Sequence, residues 1–220
     1  MYNLDGPSPV VSQRERGKER RRALIRSAAR ELLRKTGPDG FSMRELADRA
    51  NVSPATPYNL FGTKAGVLIA VFDADLQEFR QAFERIPSAD PVAHLFDFVD
   101  TAFAFFQREP EFYRNMLAPI AASSSGELRR GIIDPRATVY ADLIKGLVDG
   151  DVLRPGISGE ALLRTITNLM TIGVLNWINE DSALTQSRAD VQTGFAFVLL
   201  AACRETFAPF LRGKLIPPAE

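Results

Sequence analysis

With 220 residues and 45% hydrophobic content, the chain can bury a substantial core, while its single cysteine, Cys203, excludes an internal disulfide and suits a reducing cytoplasm. Alternating β-branched runs are scarce, and no apolar run approaches the ~20 residues that span a bilayer or resembles a signal peptide, so strands and membrane insertion are not expected. The net charge of zero is lopsided: thirteen basic and six acidic residues fall between Arg14 and Lys64, leaving +7 there and −7 on the remainder. A positive end on an acidic protein is the footprint of a polyanion-binding module, and the acidic remainder argues against indiscriminate coating of nucleic acid.

Residues 1–15, with Pro7 and Pro9, read as a disordered arm. A helix follows over 16–35, with Leu24, Ile25, Ala28, Ala29, Leu32 and Leu33 as its apolar stripe. Its first turns carry Arg16, Lys18, Arg20, Arg21 and Arg22. Cations there oppose the helix macrodipole, a conflict that bound phosphates would relieve. Gly37-Pro38-Asp39-Gly40 ends the helix.

The stretch from 41 to 68 reads as two short helices, a tight turn at Asn51 and the start of a third helix. Ser42 and Glu45 form a capping box, with Phe41 and Leu46 as its hydrophobic staple. Ser53 is the expected N-cap of the second helix, and Pro54 its first residue. Met43, Leu46, Ala47 and Ala50 would face Val52 and Phe61 and bury the elbow. Helices this short are marginal alone and must borrow packing from a longer neighbour. The second helix offers Ser53, Ala55, Thr56, Tyr58 and Asn59, residue types that reach phosphates and base edges in a major groove. From these features alone, an ordinary helical hairpin with solvated polar faces fits equally well.

The run Ser53-Pro54-Ala55-Thr56-Pro57-Tyr58-Asn59-Leu60-Phe61-Gly62-Thr63-Lys64, with Leu68 beyond, resembles the DNA-binding domain of the TetR family of bacterial transcriptional regulators. The likeness covers roughly residues 18–70. It implies a helix-turn-helix domain over 16–66, a helical ligand-binding and dimerisation domain over 67–220, and a two-fold dimer through the last two long helices. Pro57 departs from the pattern, sitting in the fourth position of the recognition helix and leaving individual base contacts open.

A helix from 63 to about 86 carries Val67, Leu68, Val71, Phe72, Leu76, Phe79 and Phe83 at helical spacing. Its amino terminus beside Lys64 is a natural phosphate seat. The helix over 91–108 is unusually aromatic, with Phe96, Val99, Phe103 and Phe106 on one face and Leu95, Phe98, Ala102 and Phe105 on the next. Nine of the fifteen phenylalanines fall between 72 and 112, which suggests core plus the wall of an apolar pocket. A helix over 110–121 adds Tyr113 and Met116, and Ser123-Ser124-Ser125-Gly126 reads as a loop. A short helix near 127–133 would precede another opened by Pro135 and ending at Gly150. Helices over 158–180 and 187–207 close the chain. The first presents Thr165, Asn168, Asn176 and Asn179, an uncharged polar stripe suited to a ligand or a partner helix. The second is apolar all round from Phe195 to Cys203, which a second subunit or an intramolecular core would cover.

The inventory for catalysis is thin. His94 with Asp97 offers two metal ligands and no obvious third, and no HExxH, glycine-rich phosphate loop or GxSxG occurs. No catalytic, metal or cofactor site is expected. The residues therefore point to an all-α, homodimeric, cytoplasmic regulator, most readily a repressor, that binds double-stranded operator DNA and answers to a small lipophilic or aromatic effector. Tyr58, Lys64, Thr63, Ser42 and Arg44 would hold phosphates, while Ser53, Ala55, Thr56 and Asn59 would read bases. Phe96, Phe103, Phe106, Tyr113, Met116, Thr165 and Asn168 would line the effector site. The alternative is a helical ligand-carrier or partner-binding protein with no specific DNA target.

Overall fold

The computed structural model describes residues 13–36, 40–87, 90–122 and 126–215, and within them the chain is ten α-helices and one 3-10 turn. Residues 1–12 of the expected arm, most of the Gly37–Gly40 stop and the serine loop at 123–125 lie outside the described residues. Helix α1 (Gln13–Lys35) begins earlier than expected, so residues 13–15 are helical. Ile25, Ala28, Ala29 and Leu33 are buried, whereas Leu24 is 45% exposed, on the flank of the stripe.

Helices α2 (Met43–Arg49) and α3 (Ala55–Phe61) form the helix-turn-helix, joined through Asn51 in the left-handed region at φ 53°. Asparagine tolerates that conformation better than most residues. Helix α4 (Lys64–Glu84), about 31 Å long by its residue count, runs from this unit into the second half of the molecule. There α5 (Pro91–Arg108), α6 (Pro110–Ala122), α7 (Gly126–Asp149), α8 (Gly159–Ile178) and α9 (Leu184–Ala202) assemble. Asp90 caps α5, accepting from the Val92 and Ala93 amides at 2.8 and 3.3 Å, with Pro91 at the first helical position. Helix α8 is long and apolar enough to cross a bilayer by length and composition, but it packs between α7 and α9.

Two expected boundaries are corrected. Helix α7 is continuous through Pro135, where a break between two helices was expected. Helix α9 stops at Ala202 instead of reaching 207. Cys203 pairs there with Leu153 in an antiparallel bridge, with Arg154 N donating to Ala202 O and Arg204 N to Val152 O, both at 2.9 Å. Those bonds need an extended backbone, so the helix ends, and a 3-10 turn (Glu205–Phe207) leads into α10 (Ala208–Gly213). The buried Cys203 thiol has its pKa pushed up to about 11 by burial. Nor is α9 buried all round: Phe197 is 61% exposed within one chain.

Helix α1 packs against both α4 and α6, which couples the amino-terminal unit to the larger half. Asn115 on α6, itself buried, donates from Nδ2 to the Leu33 carbonyl near the end of α1 at 2.8 Å. Arg34 grips Glu109 with two bonds at 2.7 and 2.8 Å, and Arg30 reaches the same carboxylate at 3.2 Å. These contacts, Arg34 foremost, hold the Glu109 carboxyl below the usual carboxylate range.

Candidate functional site

The capping box forms as expected. Ser42 Oγ accepts from the Glu45 amide at 3.1 Å, and Glu45 Oε2 accepts from the Ser42 amide at 2.7 Å. The Ser42 amide, donating to that carboxylate, is the main cause that lowers the Glu45 pKa. Met43, Leu46, Ala47 and Ala50 are buried, and Val52 and Phe61 are partly buried against the core. Ser53 does not cap α3 through its side chain. Its hydroxyl pairs with Thr56 Oγ1 at 2.8 Å, while its carbonyl accepts from the Thr56 amide at 2.9 Å. Pro57 lies in the first turn of α3, where the amide it lacks would have had no intrahelical partner. Its ring is buried, on the inner face of the helix.

The opposite side of α3 is open. Ser53, Ala55, Tyr58 and Asn59 are exposed and Thr56 is half-buried, with Tyr58 at 55% exposure. Ser42, Arg44 and Thr63 are exposed as well. Thr63 caps α4, accepting from the Gly66 amide at 2.9 Å, and Lys64 Nζ stands 5.2 Å from the centre of the Phe41 ring. The basic cluster on α1 contributes one structural member. Arg22 turns inward, donates to the Leu60 carbonyl at 3.0 Å, and lies 5.3 Å from the Phe61 ring centre, closing the end of α3. An arginine among several in a basic run carries no sequence mark of that role.

A cavity of about 80 Å³ lies among α4, α5, α6, α7 and α8. Phe106 and Tyr113 line it as expected, with Phe72, Phe79, Phe98 and Phe105. Phe96, Phe103 and Met116 are buried but are not among its lining residues. Both faces of α5 are covered, and Phe96 faces the other way, edge-on to Phe195 at 6.5 Å and Phe210 at 5.6 Å. On α8 the lining threonines are Thr167 and Thr171, whereas Thr165 and Asn168 are exposed outside. His94 stacks on Phe83, ring centres 4.3 Å apart, with Asp97 3.9 Å from its Nδ1.

One cavity residue was missed. Asp75 of α4 is only 5% exposed, pairs with Arg30 of α1, and borders the cavity beside Tyr113. Burial raises its pKa against the pull of Arg30, and burial next to that carboxylate raises the Tyr113 phenol as well. The signal was available: Asp75 interrupts an apolar stripe at a position three residues after Phe72 and four before Phe79.

Residues 25–71, which comprise the latter part of α1, the helix-turn-helix and the first turns of α4, match the family model for bacterial regulatory proteins of the tetR family. The amino-terminal unit is similar to those of TetR-family regulators. The matched segment includes the exposed face of α3. Over 187 residues, 80% of each protein, the chain is 24% identical to the HTH-type transcriptional repressor KstR of Mycobacterium tuberculosis. Its fold is similar to that of SmeT, the repressor of the Stenotrophomonas maltophilia multidrug efflux pump SmeDEF, with a TM-score of 0.67 and 17% identity, covering 90% of this chain and 94% of that one. Thermus thermophilus FadR, a TetR-family repressor solved with lauroyl-CoA, aligns at a TM-score of 0.63 and 22% identity over 90% and 97% of the two chains.

Proposed function

We propose that this chain is a homodimeric cytoplasmic repressor of the TetR family, released from a pseudo-palindromic operator when a small lipophilic or aromatic molecule occupies the cavity. Residues 16–66 form the reading head and 67–220 the effector and dimer domain. The observation that carries the reading is the division of α3: Pro57 is turned in, while Ser53, Ala55, Tyr58 and Asn59 face outward together. Asn59 is suited to a hydrogen-bonded base contact and Thr56 to a weaker one, with Ser53 and Ala55 nearby. Tyr58, Lys64, Thr63, Ser42 and Arg44 are the candidates for phosphate contacts.

Dimerisation is supported by exposed apolar side chains on the last two long helices, Ile172 on α8 at 56% and Phe197 on α9 at 61%. Two copies would place their α3 helices in successive major grooves, about 34–36 Å apart. KstR, SmeT and FadR are named as repressors, and FadR was solved with an acyl-CoA, which supports effector release by a lipophilic compound. No part of this reading requires catalysis.

The test is fluorescence anisotropy of the full chain with DNA from its own upstream region against shuffled DNA. If a dimer neutralises roughly eight phosphates, log K falls against log salt with a slope of about −7. Equal affinity for both DNAs would favour the carrier reading.

A further inference from the structure

The cavity is apolar except at a few points, and most of those are already engaged. The Thr171 hydroxyl donates to the Thr167 carbonyl at 2.8 Å. Asp75 differs. Arg30 Nη1 takes Oδ1, but Oδ2 has no hydrogen-bond partner although the side chain is nearly sealed from water. A buried carboxylate oxygen without a donor has lost its hydration and gained nothing in exchange. On the aromatic wall the Tyr113 phenol is the donor near this carboxylate, and it makes no hydrogen bond of normal geometry to Oδ2.

We infer that Asp75 is the recognition point for the effector, an aromatic-sized apolar body bearing one neutral hydroxyl or N–H that donates to Oδ2. This rests on the ligand-responsive reading above and specifies its ligand class. Neutrality follows from the surrounding charges. Arg30 and Arg34 already balance Asp75 and Glu109, which they bridge. An ammonium would compete with Arg30 for one carboxylate, and an incoming carboxylate would meet Asp75 in a medium that screens poorly. A neutral donor satisfies the oxygen and adds no charge. The small cavity volume sets the scale of the first probes, since pockets for drug-sized ligands run to about 300–1,000 Å³.

The same carboxylate holds Arg30, whose guanidinium lies 4.1 Å from the Phe112 ring centre and which belongs to α1. A ligand drawing on Asp75 is therefore felt directly on the helix that carries the reading head.

The experiment is isothermal titration of the full chain with 4-propylphenol, propylbenzene and 4-propylbenzoate, which share a body and differ in the head. The phenol should bind at least about tenfold more tightly than propylbenzene, as a hydrogen bond to a charged group provides, and the benzoate most weakly. Asp75→Asn should narrow that ratio. The double variant Asp75→Leu/Arg30→Met, which leaves no unpaired charge at this contact, should bind phenol and hydrocarbon alike. Equal affinities in the unmodified chain, a benzoate preference, or a phenol preference surviving in the double variant overturns the inference. Binding without discrimination leaves the ligand-responsive reading standing. If none of the three binds, the inference falls, and operator release by larger apolar compounds decides that broader reading separately.

Discussion

Asn115 on α6 donates its side-chain amide to the Leu33 carbonyl of α1, across 82 positions of sequence. The bond satisfies one of the carbonyls that the end of a helix leaves open, and it does so from the domain that holds the cavity. Together with Arg34–Glu109 and Arg30–Asp75, it makes α1 a shared element of both halves. The junction between head and body is a set of polar contacts, and several predictions concern it.

Arg30→Met removes the cation from a buried carboxylate. Unfolding in urea should show a loss of about 3 kcal/mol, the low end for a broken buried pair because the Arg30 side chain keeps 26% of its exposure. Adding Asp75→Leu should restore most of that loss. A single variant as stable as the parent would mean the pair contributes nothing to the junction.

Glu109 has a folded pKa held below its unfolded value, so its contribution is present above the unfolded pKa and is lost as pH falls through the folded one. Thermal midpoints should therefore drop between about pH 5 and pH 3, and Glu109→Gln should flatten that drop while lowering the midpoint at pH 7. Asp75 works in the opposite direction. Its raised pKa means that its protonated form is favoured in the folded chain, which softens the acid loss and adds a penalty as pH rises above its unfolded value.

Gly66 stands where α4 passes beneath the end of α3. A Cβ there would lie 2.1 Å from the Phe61 carbonyl oxygen, a backbone atom that no rotamer change can move. Gly66→Ala should cost about 1–3 kcal/mol of stability by overpacking and weaken operator binding, because α3 must shift to admit the methyl group. Unchanged melting and unchanged anisotropy would show that this crossing is looser than drawn.

Tyr58→Ala and Asn59→Ala alter exposed side chains, so both variants should melt within about 0.5 kcal/mol of the parent. On operator DNA they should separate. Asn59→Ala should relax preference at one base position by about 1–3 kcal/mol, whereas Tyr58→Ala should weaken all sequences alike. A competition assay over single-base operator variants distinguishes the two patterns.

Phe197→Glu places a charge on the exposed apolar patch of α9. Light scattering should show the dimer mass falling to that of a monomer, with helical circular dichroism retained. A dimer that survives this change would have to use another face.

Much of the architecture was legible because its cues are local. The Ser42–Glu45 box declares its helix start within four residues, and the structure realises it. What could not be read depends on distant partners. The end of α9 is imposed by Leu153, fifty residues earlier, through the bridge to Cys203. The lining of the cavity turns on rotations of about 100° per residue. On α5, Phe96 and Phe98 are equally apolar, and only the positions of α9 and α7 decide which meets the cavity. On α8 the threonines at 165, 167 and 171 are chemically alike, so composition could not choose among them. Asp75 was the exception, a charge inside an apolar stripe that announced itself.

The inward turn of Arg22 has a mechanical consequence. Because its guanidinium fastens the Leu60 carbonyl near the end of α3 to α1, α3 has no private hinge there. Any signal that reorients α3 must then swing the amino-terminal unit with it, like a key whose bit is forged to its shank.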